Sequence, residues 1–162
     1  LARGDALAMV LLEARGFRRQ DYARLHPAGA IGRTLLTRVA DIMRRPPHVA
    51  VVPRGASVQD AVLAMTRSKS GSACVVDDAN RLAGIFTDGD LRRHLTNTPD
   101  LLSRPVAEYM TRDPIRVSAD RLAVDVLQLF ERHKIDDLPV VDAQGVLAGC
   151  VDIQDLPRLK IL

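Results

Sequence analysis

The feature that most constrains the fold of this 162-residue chain is an internal duplication with a spacing of 65 residues. The segment 84–91 (GIFTDGDL) aligns with the segment 149–156 (GCVDIQDL). The same spacing relates Val75 to Val140, and the segments 39–43 and 106–110 match once a two-residue insertion near Pro46 is allowed. A duplication of this kind indicates that one supersecondary unit is used twice.

Both repeats carry the pattern of the element order β-α-β-β-α. Ser57 and Asp60 form a capping-box pattern ahead of a helix whose apolar residues recur at helical spacing. A second helix is predicted from Asp88 to about Leu95, and a corresponding final helix is predicted after Asp152. The predicted strands are 49–52, 73–76 and 82–86 in the first repeat, and 138–141 and 146–151 in the hairpin of the second.

A unit of about 65 residues buries too little surface to be stable alone, so the two repeats are expected to pack together about a pseudo-twofold axis. The predicted fold class is therefore mixed α/β (α+β), with a cleft between the repeats. The predicted domains are 35–98 and 99–162, joined through a linker with Pro99 and Pro105, and preceded by a separate segment, 1–34.

Composition excludes several function classes. The net charge of +3 comes from 23 basic and 20 acidic residues that are interleaved along the chain, and aromatic residues make up only 3%, so a nucleic-acid interface is not expected. The longest apolar run, 6–12, is too short to cross a bilayer, and no signal peptide is apparent, which predicts a cytoplasmic protein. Cys74 and Cys150 lie in β-like apolar runs, which favours buried thiols over a disulfide or a metal site.

The sharpest local motif is the Thr87-Asp-Gly-Asp90 turn at the end of a predicted strand. It has two interpretations. Thr87 and Asp90 can form a capping box, which is a purely structural role. Alternatively, the helix N-terminus and the Thr87 hydroxyl can bind a phosphate while the Asp90 carboxylate accepts hydrogen bonds from both ribose hydroxyls of a nucleotide.

The two copies of this motif differ. Asp152 replaces Thr87 in the second repeat, and a carboxylate there repels a phosphate. Asp136 and Asp137 likewise add acid where the first repeat has Gly71 and Ser72. Nucleotide binding therefore predicts one good site and one weakened site, whose candidate residue is Asp155. The candidate residues of the good site are Thr87, Asp90, Gly71, Ser72, Lys69, Arg92 and Arg93.

The duplicated unit, with Asp-Ile-Met at 41–43 and the 84–91 motif at its end, resembles a tandem pair of cystathionine-β-synthase-type (CBS) domains, the Bateman module. The upstream stretch 25–33 (LHPAGAIGR), running into the first repeat, is similar to the end of the sugar isomerase (SIS) domain in bacterial D-arabinose 5-phosphate isomerases. That family usually has glycine where this chain has Ala28. The resemblance covers essentially the whole chain.

The resemblance implies interconversion of D-ribulose 5-phosphate and D-arabinose 5-phosphate, towards the lipopolysaccharide sugar Kdo, with His26 as a catalytic residue. It also implies a regulatory nucleotide, either CMP-Kdo or AMP, ADP or ATP, with no cofactor required and no metal. We expect the chain alone to be inactive and the amphipathic stretch 6–12 to be disordered or packed on a neighbouring chain. Implied partners are the SIS domain and further copies bound through CBS helices. A ligand-free oligomerisation spacer remains the alternative.

Overall fold

The computed structural model describes residues 36–156. Segment 1–34, with His26, lies outside the described residues. The helices are α1 (Val39–Ile42), α2 (Val58–Ser68), α3 (Asp88–Leu95) and α4 (Ala123–His133). The strands are β1 (Ala50–Pro53), β2 (Ser72–Val76), β3 (Leu82–Thr87), β4 (Thr111–Arg112), β5 (Val117–Ser118), β6 (Asp137–Val141) and β7 (Leu147–Asp152). Short 3-10 helices cover Leu101–Ser103, Val106–Glu108 and Ile153–Asp155.

The strands form a four-stranded sheet, in the order β1-β2-β3-β4, and a three-stranded sheet, in the order β5-β6-β7, and the first three strands of each have the same topology. In the first sheet, β1 runs parallel to β2, and β2 is antiparallel to β3; in the second, β5 is parallel to β6, and β6 is antiparallel to β7. Even the irregularity is duplicated, since the register shifts between Val75 and Val76 in one hairpin and between Val140 and Val141 in the other. The predicted mixed α/β fold of two β-α-β-β-α repeats is confirmed.

The segment that leads into each repeat packs on the other repeat. Val39, Ile42 and Met43 belong to the core built mainly by the second repeat, whereas Val106 and Met110 belong to the core built mainly by the first. Full burial of apolar side chains of this size stabilises a fold by about 1.5–3 kcal/mol each. This exchange of leading segments ties the two repeats into one structure.

Glycine is required where a leading segment crosses a strand. A Cβ on Gly149 would overlap the carbonyl oxygen of Arg44, and a Cβ on Gly84 would overlap Met110. The backbone of Arg44 pairs with Cys150 through two hydrogen bonds, of 2.8 and 3.1 Å. The two glycines of the repeated motif therefore allow each crossing segment to lie directly on the strand.

The repeats also meet through a small apolar cluster. Cys74 and Cys150 lie together with Val49 in a small buried cluster, and both are free thiols, as the sequence predicts. A hydrogen bond with Cys74, together with burial, raises the pKa of Cys150 and keeps it protonated. The Cys150 thiol is therefore part of the packing rather than a reactive group.

Most predicted helix boundaries are confirmed. Ser57 caps α2 and Thr87 caps α3, each within a reciprocal capping box. The final helix predicted after Asp152 is represented, within residues 36–156, by a 3-10 turn over Ile153–Asp155. None of the helices in the described range is long and apolar enough to span a bilayer.

Candidate functional site

A cavity of about 530 Å³ opens between the two repeats beside the N-terminus of α3. Residues of both repeats line it, so the cavity exists only because the repeats pack together. The first repeat contributes Lys69, Gly71, Ile85, Thr87, Asp88, Gly89, Asp90, Arg92 and Arg93. The second contributes Thr111, Pro114, Ile115, Lys134, Ile135, Asp136, Asp137, Asp152 and Gln154.

Thr87 and Asp90 are locked together at the edge of this cavity. The Thr87 hydroxyl donates to Oδ2 of Asp90 at 2.9 Å and accepts from the Asp90 backbone N–H at 3.2 Å. The Thr87 backbone N–H donates to the same carboxylate oxygen at 3.0 Å. The capping interpretation of this motif therefore holds, and the same bonds hold the two side chains in fixed positions facing the cavity.

Asp90 keeps the capacity to accept a ligand. Its residue is only 4% exposed, and Arg93 Nη1 donates to its Oδ1 at 2.7 Å. A carboxylate offers about four acceptor positions, of which Thr87 and Arg93 fill three. Because the Arg93 side chain is 67% exposed, it can swing into solvent and release a second position. A ribose diol, which needs two acceptors, then has them on one carboxylate.

Cationic side chains surround the mouth of the cavity. Arg92 and Arg93 lie on the exposed face of α3, and Lys69 ends α2 in the left-handed conformation with φ 53°. Lys134 ends α4 with the same φ of 53° and also lines the cavity. These four side chains can pair with an anionic group such as phosphate, and five carboxylates line the same cavity.

The far wall of the cavity is acidic. Asp137 and Asp152 are direct partners in the β6–β7 ladder, in the place that Ser72 and Thr87 occupy in the β2–β3 ladder. Burial, followed by repulsion from Asp152, raises the pKa of Asp137 to about 6, although a hydrogen bond from Ser72 opposes the shift. The Asp137 carboxyl therefore exchanges its proton close to neutral pH.

A second cavity, of about 740 Å³, occupies the pseudo-symmetric position beside Asp155. The Arg44 guanidinium reaches into it and binds Asp155 through Nε at 2.5 Å and Nη2 at 3.0 Å. Nη2 also lies 2.9 Å from Asp152, and Nη1 donates to the carbonyl of Lys69 at 3.3 Å. The hydrogen bond to Asp155, with both carboxylate charges, raises the pKa of Arg44.

The structure brings most of the predicted site residues together. Lys69, Gly71, Thr87, Asp90, Arg92 and Arg93 line the first cavity. Ser72 is buried behind that wall, and Asp155 lies in the second cavity. Sequence reasoning missed Thr111, Pro114 and Ile115, because these residues reach the cavity only through the exchange of leading segments. The match of segment 39–43 to 106–110 was the one available signal.

Comparison with known proteins identifies both halves. The profile of the CBS domain family matches residues 39–97 and 106–159. The chain is 45% identical over its full length to arabinose 5-phosphate isomerase KdsD of Yersinia pestis and covers 49% of that protein. It is 42% identical to arabinose 5-phosphate isomerase GutQ of Salmonella typhi and covers 50% of it. The chain thus spans about half the length of these curated relatives.

Solved structures with the same fold carry nucleosides. The CBS domain pair of MJ0100, in complex with 5′-methylthioadenosine and S-adenosyl-L-methionine, superposes with a TM-score of 0.68 at 26% identity, covering 76% of this chain and 95% of that one. CBSX2 in complex with AMP superposes with a TM-score of 0.63 at 29% identity, covering 75% and 93%. The similarity therefore extends over most of the described residues.

Proposed function

This chain belongs to the CBS domain family, and from that premise we propose that it is a regulatory module that senses a nucleotide in the first cavity. The observation that carries the proposal is the pairing of Thr87 and Asp90 beneath a cluster of four cations. The MJ0100 and CBSX2 complexes support the same class of ligand. In this scheme Asp90 accepts the ribose hydroxyls, and the helix N-terminus with Thr87 holds the phosphate.

Arg93 has two positions in this mechanism. Without ligand it neutralises Asp90 through the 2.7 Å contact to Oδ1. When the ribose takes its place, the guanidinium moves to the phosphate, together with Arg92 and Lys69. Arg93 thus moves from Asp90 to the phosphate while the ribose hydroxyls donate to Asp90. The buried Asp90 carboxylate therefore keeps hydrogen-bond partners both with and without ligand.

The base and any further group would extend towards the second repeat. Adenine nucleotides have the support of the solved complexes. CMP-Kdo, a product of the Kdo pathway, would add a sugar carboxylate that arginines such as Arg92 bind well. We propose one of these two classes as the physiological ligand, in a single good site per chain.

Thermal unfolding tests this proposal. AMP, ADP, ATP, CMP and CMP-Kdo are each added at a hundredfold excess over the dissociation constant, where binding stabilises the fold by about 2.7 kcal/mol and raises Tm by about 5–10 °C. The variant D90A should lose this shift, whereas D155A, altered in the other cavity, should keep it. If no nucleotide moves Tm, the nucleotide-sensing proposal is wrong.

We further propose that the chain serves as the regulatory half of an arabinose 5-phosphate isomerase. The identities of 45% and 42% to KdsD and GutQ, over the full chain, support this. His26 would then take part in the proton transfer between C1 and C2 of the sugar phosphate. The 162-residue chain itself should show no isomerase turnover in a coupled assay, and turnover would contradict this assignment.

A ligand-free spacer that joins copies of the chain is the second candidate function. Its support is a set of large apolar side chains left exposed on the helical surface, namely Leu63, Leu95 and Leu102. Association through these helices would bury them. Analytical ultracentrifugation of wild type and L63E/L95E tests it: loss of a dimer in the variant, together with no nucleotide response in wild type, would favour the spacer.

A further inference from the structure

The second cavity contains the Arg44 guanidinium, which is bound to Asp155 where a ligand would be expected to bind. We propose that Arg44 is an internal ligand that occupies the second nucleoside site and so limits the chain to one nucleotide. This inference rests on the proposed nucleotide function of the first cavity. It assigns to Arg44 the role of setting how many nucleotides one chain binds.

Arg44 and Thr111 occupy equivalent positions in the two cavities. The backbone of Arg44 pairs with Cys150, and the backbone of Thr111 pairs with Ile85, which precedes Cys150 by one repeat length. Each residue lies on the leading segment that crosses the opposite repeat. The first cavity therefore has a short, exposed threonine at the position where the second has a long arginine.

The Arg44 guanidinium binds the groups that a nucleoside would need. Asp155 is the counterpart of Asp90, and both its oxygens accept from Arg44, at 2.5 and 3.0 Å. The contact to Asp152 at 2.9 Å involves the counterpart of Thr87. A ribose diol would have to displace Arg44, whose side chain is bidentate to Asp155 and only 21% exposed, whereas the Arg93 side chain on the first carboxylate is 67% exposed.

The second cavity differs from the first in the charge it accepts. At the end of the third strand, the second repeat has two carboxylates, Asp152 and Asp155, where the first repeat has a hydroxyl and one carboxylate, and Arg44 pairs with both while only 21% exposed. Without that guanidinium, the Asp152 carboxylate would still repel a phosphate. The site opened by removing Arg44 should therefore take an uncharged nucleoside such as adenosine in preference to AMP.

Exchange of the two equivalent residues tests the inference. Equilibrium dialysis with labelled adenosine counts the sites per chain in wild type, in R44T and in R44T/D155A. R44T should bind one more adenosine than wild type, and R44T/D155A should lose that additional site. If R44T binds no more adenosine than wild type, the inference is overturned, whatever wild type binds.

The reciprocal variant guards against misfolding of R44T. T111R places a guanidinium at the exposed position beside Asp90 and should weaken AMP binding at least tenfold, while T111Q, of similar length but uncharged, should bind AMP within about threefold of wild type. Equal binding by T111R and T111Q would count against the inference. Absence of adenosine and AMP binding in wild type would overturn the proposed function, but a single site gained in R44T would still support the role of Arg44.

Discussion

The two repeats share their element order, their ladder register and even their strand irregularities, but they differ in what stands at the end of the third strand. In the first repeat Thr87 and Asp90 form a closed capping box beside an open cavity. In the second, Asp152 and Asp155 are bound by Arg44. The two repeats share one backbone frame, whereas single side chains leave one cavity open beside its capping box and place a guanidinium in the other.

Comparison of the two repeats shows which backbone features both of them keep. Both glycines at the crossing points are retained, and both helices preceding the hairpins end in a left-handed lysine, Lys69 and Lys134. Residues at or next to the cavity wall, such as Ser72 and its counterpart Asp137, differ between the repeats. The backbone crossings constrain the sequence more tightly than the cavity walls do.

The largest expected effect is at the crossing glycines, where the repeats should respond unequally. At Gly149 the nearest atom to an added Cβ is the backbone carbonyl oxygen of Arg44, whereas at Gly84 the Met110 side chain is nearest and the backbone oxygen of Thr111 lies farther off, at 2.9 Å. Overpacking of this kind costs up to about 3 kcal/mol, so G149A should lose about 3 kcal/mol and G84A about 2 kcal/mol of unfolding free energy. Urea denaturation of both variants measures the difference.

Gly55 provides the control for this pair, because an added Cβ there has no atom within 4 Å. G55A should leave the unfolding free energy within about 0.5 kcal/mol of wild type. If G149A and G84A are both as stable as G55A, the leading segments do not lie on the strands as described, and the exchange between the repeats is wrong.

The next effect concerns the acidic wall of the second repeat. Asp137 has a folded pKa of about 6 against an ordinary value of 3.8, so the folded chain binds more protons than the unfolded chain between these values. Stability therefore falls as pH rises through this window. At about pH 8 the variant D137N should be more stable than wild type by about 2 kcal/mol, and at about pH 4 the gain should nearly vanish.

The neighbouring variant D136N removes the same charge from an exposed position. It should change the unfolding free energy by less than about 0.5 kcal/mol at either pH. A pH-independent effect of D137N, or an equal effect of D136N, would show that burial opposite Asp152 is not the cause. The first repeat should have no such pH dependence, because it has Ser72 at the position equivalent to Asp137.

A site could be predicted from the sequence when its residues are close together along the chain, and not when they are far apart. Ser57 with Asp60 and Thr87 with Asp90 are three residues apart; the pattern predicts a capping box for the first pair and offers one as the first of two interpretations for the second, and both boxes are present. Arg44 bonds to Asp155, 111 residues away, only because the leading segment crosses to the other repeat. A periodic pattern predicts the elements but does not predict this exchange, so Arg44 and Thr111 could not be assigned to the cavities.

The smallest expected effect on stability comes from helix capping, in which the helices that follow the first strand of each repeat differ. Helix α2 has Ser57 as its N-cap, accepting from the backbone N–H of Asp60 at 3.1 Å, whereas α4 begins after Leu122 without a side-chain cap. Loss of a serine cap costs about 1 kcal/mol, so S57A should be destabilised by that amount, and S57T should lose less than about 0.5 kcal/mol because its hydroxyl can cap equally. Equal stability of S57A and S57T in urea denaturation would mean that α2, like α4, is held by its buried apolar face and not by its cap.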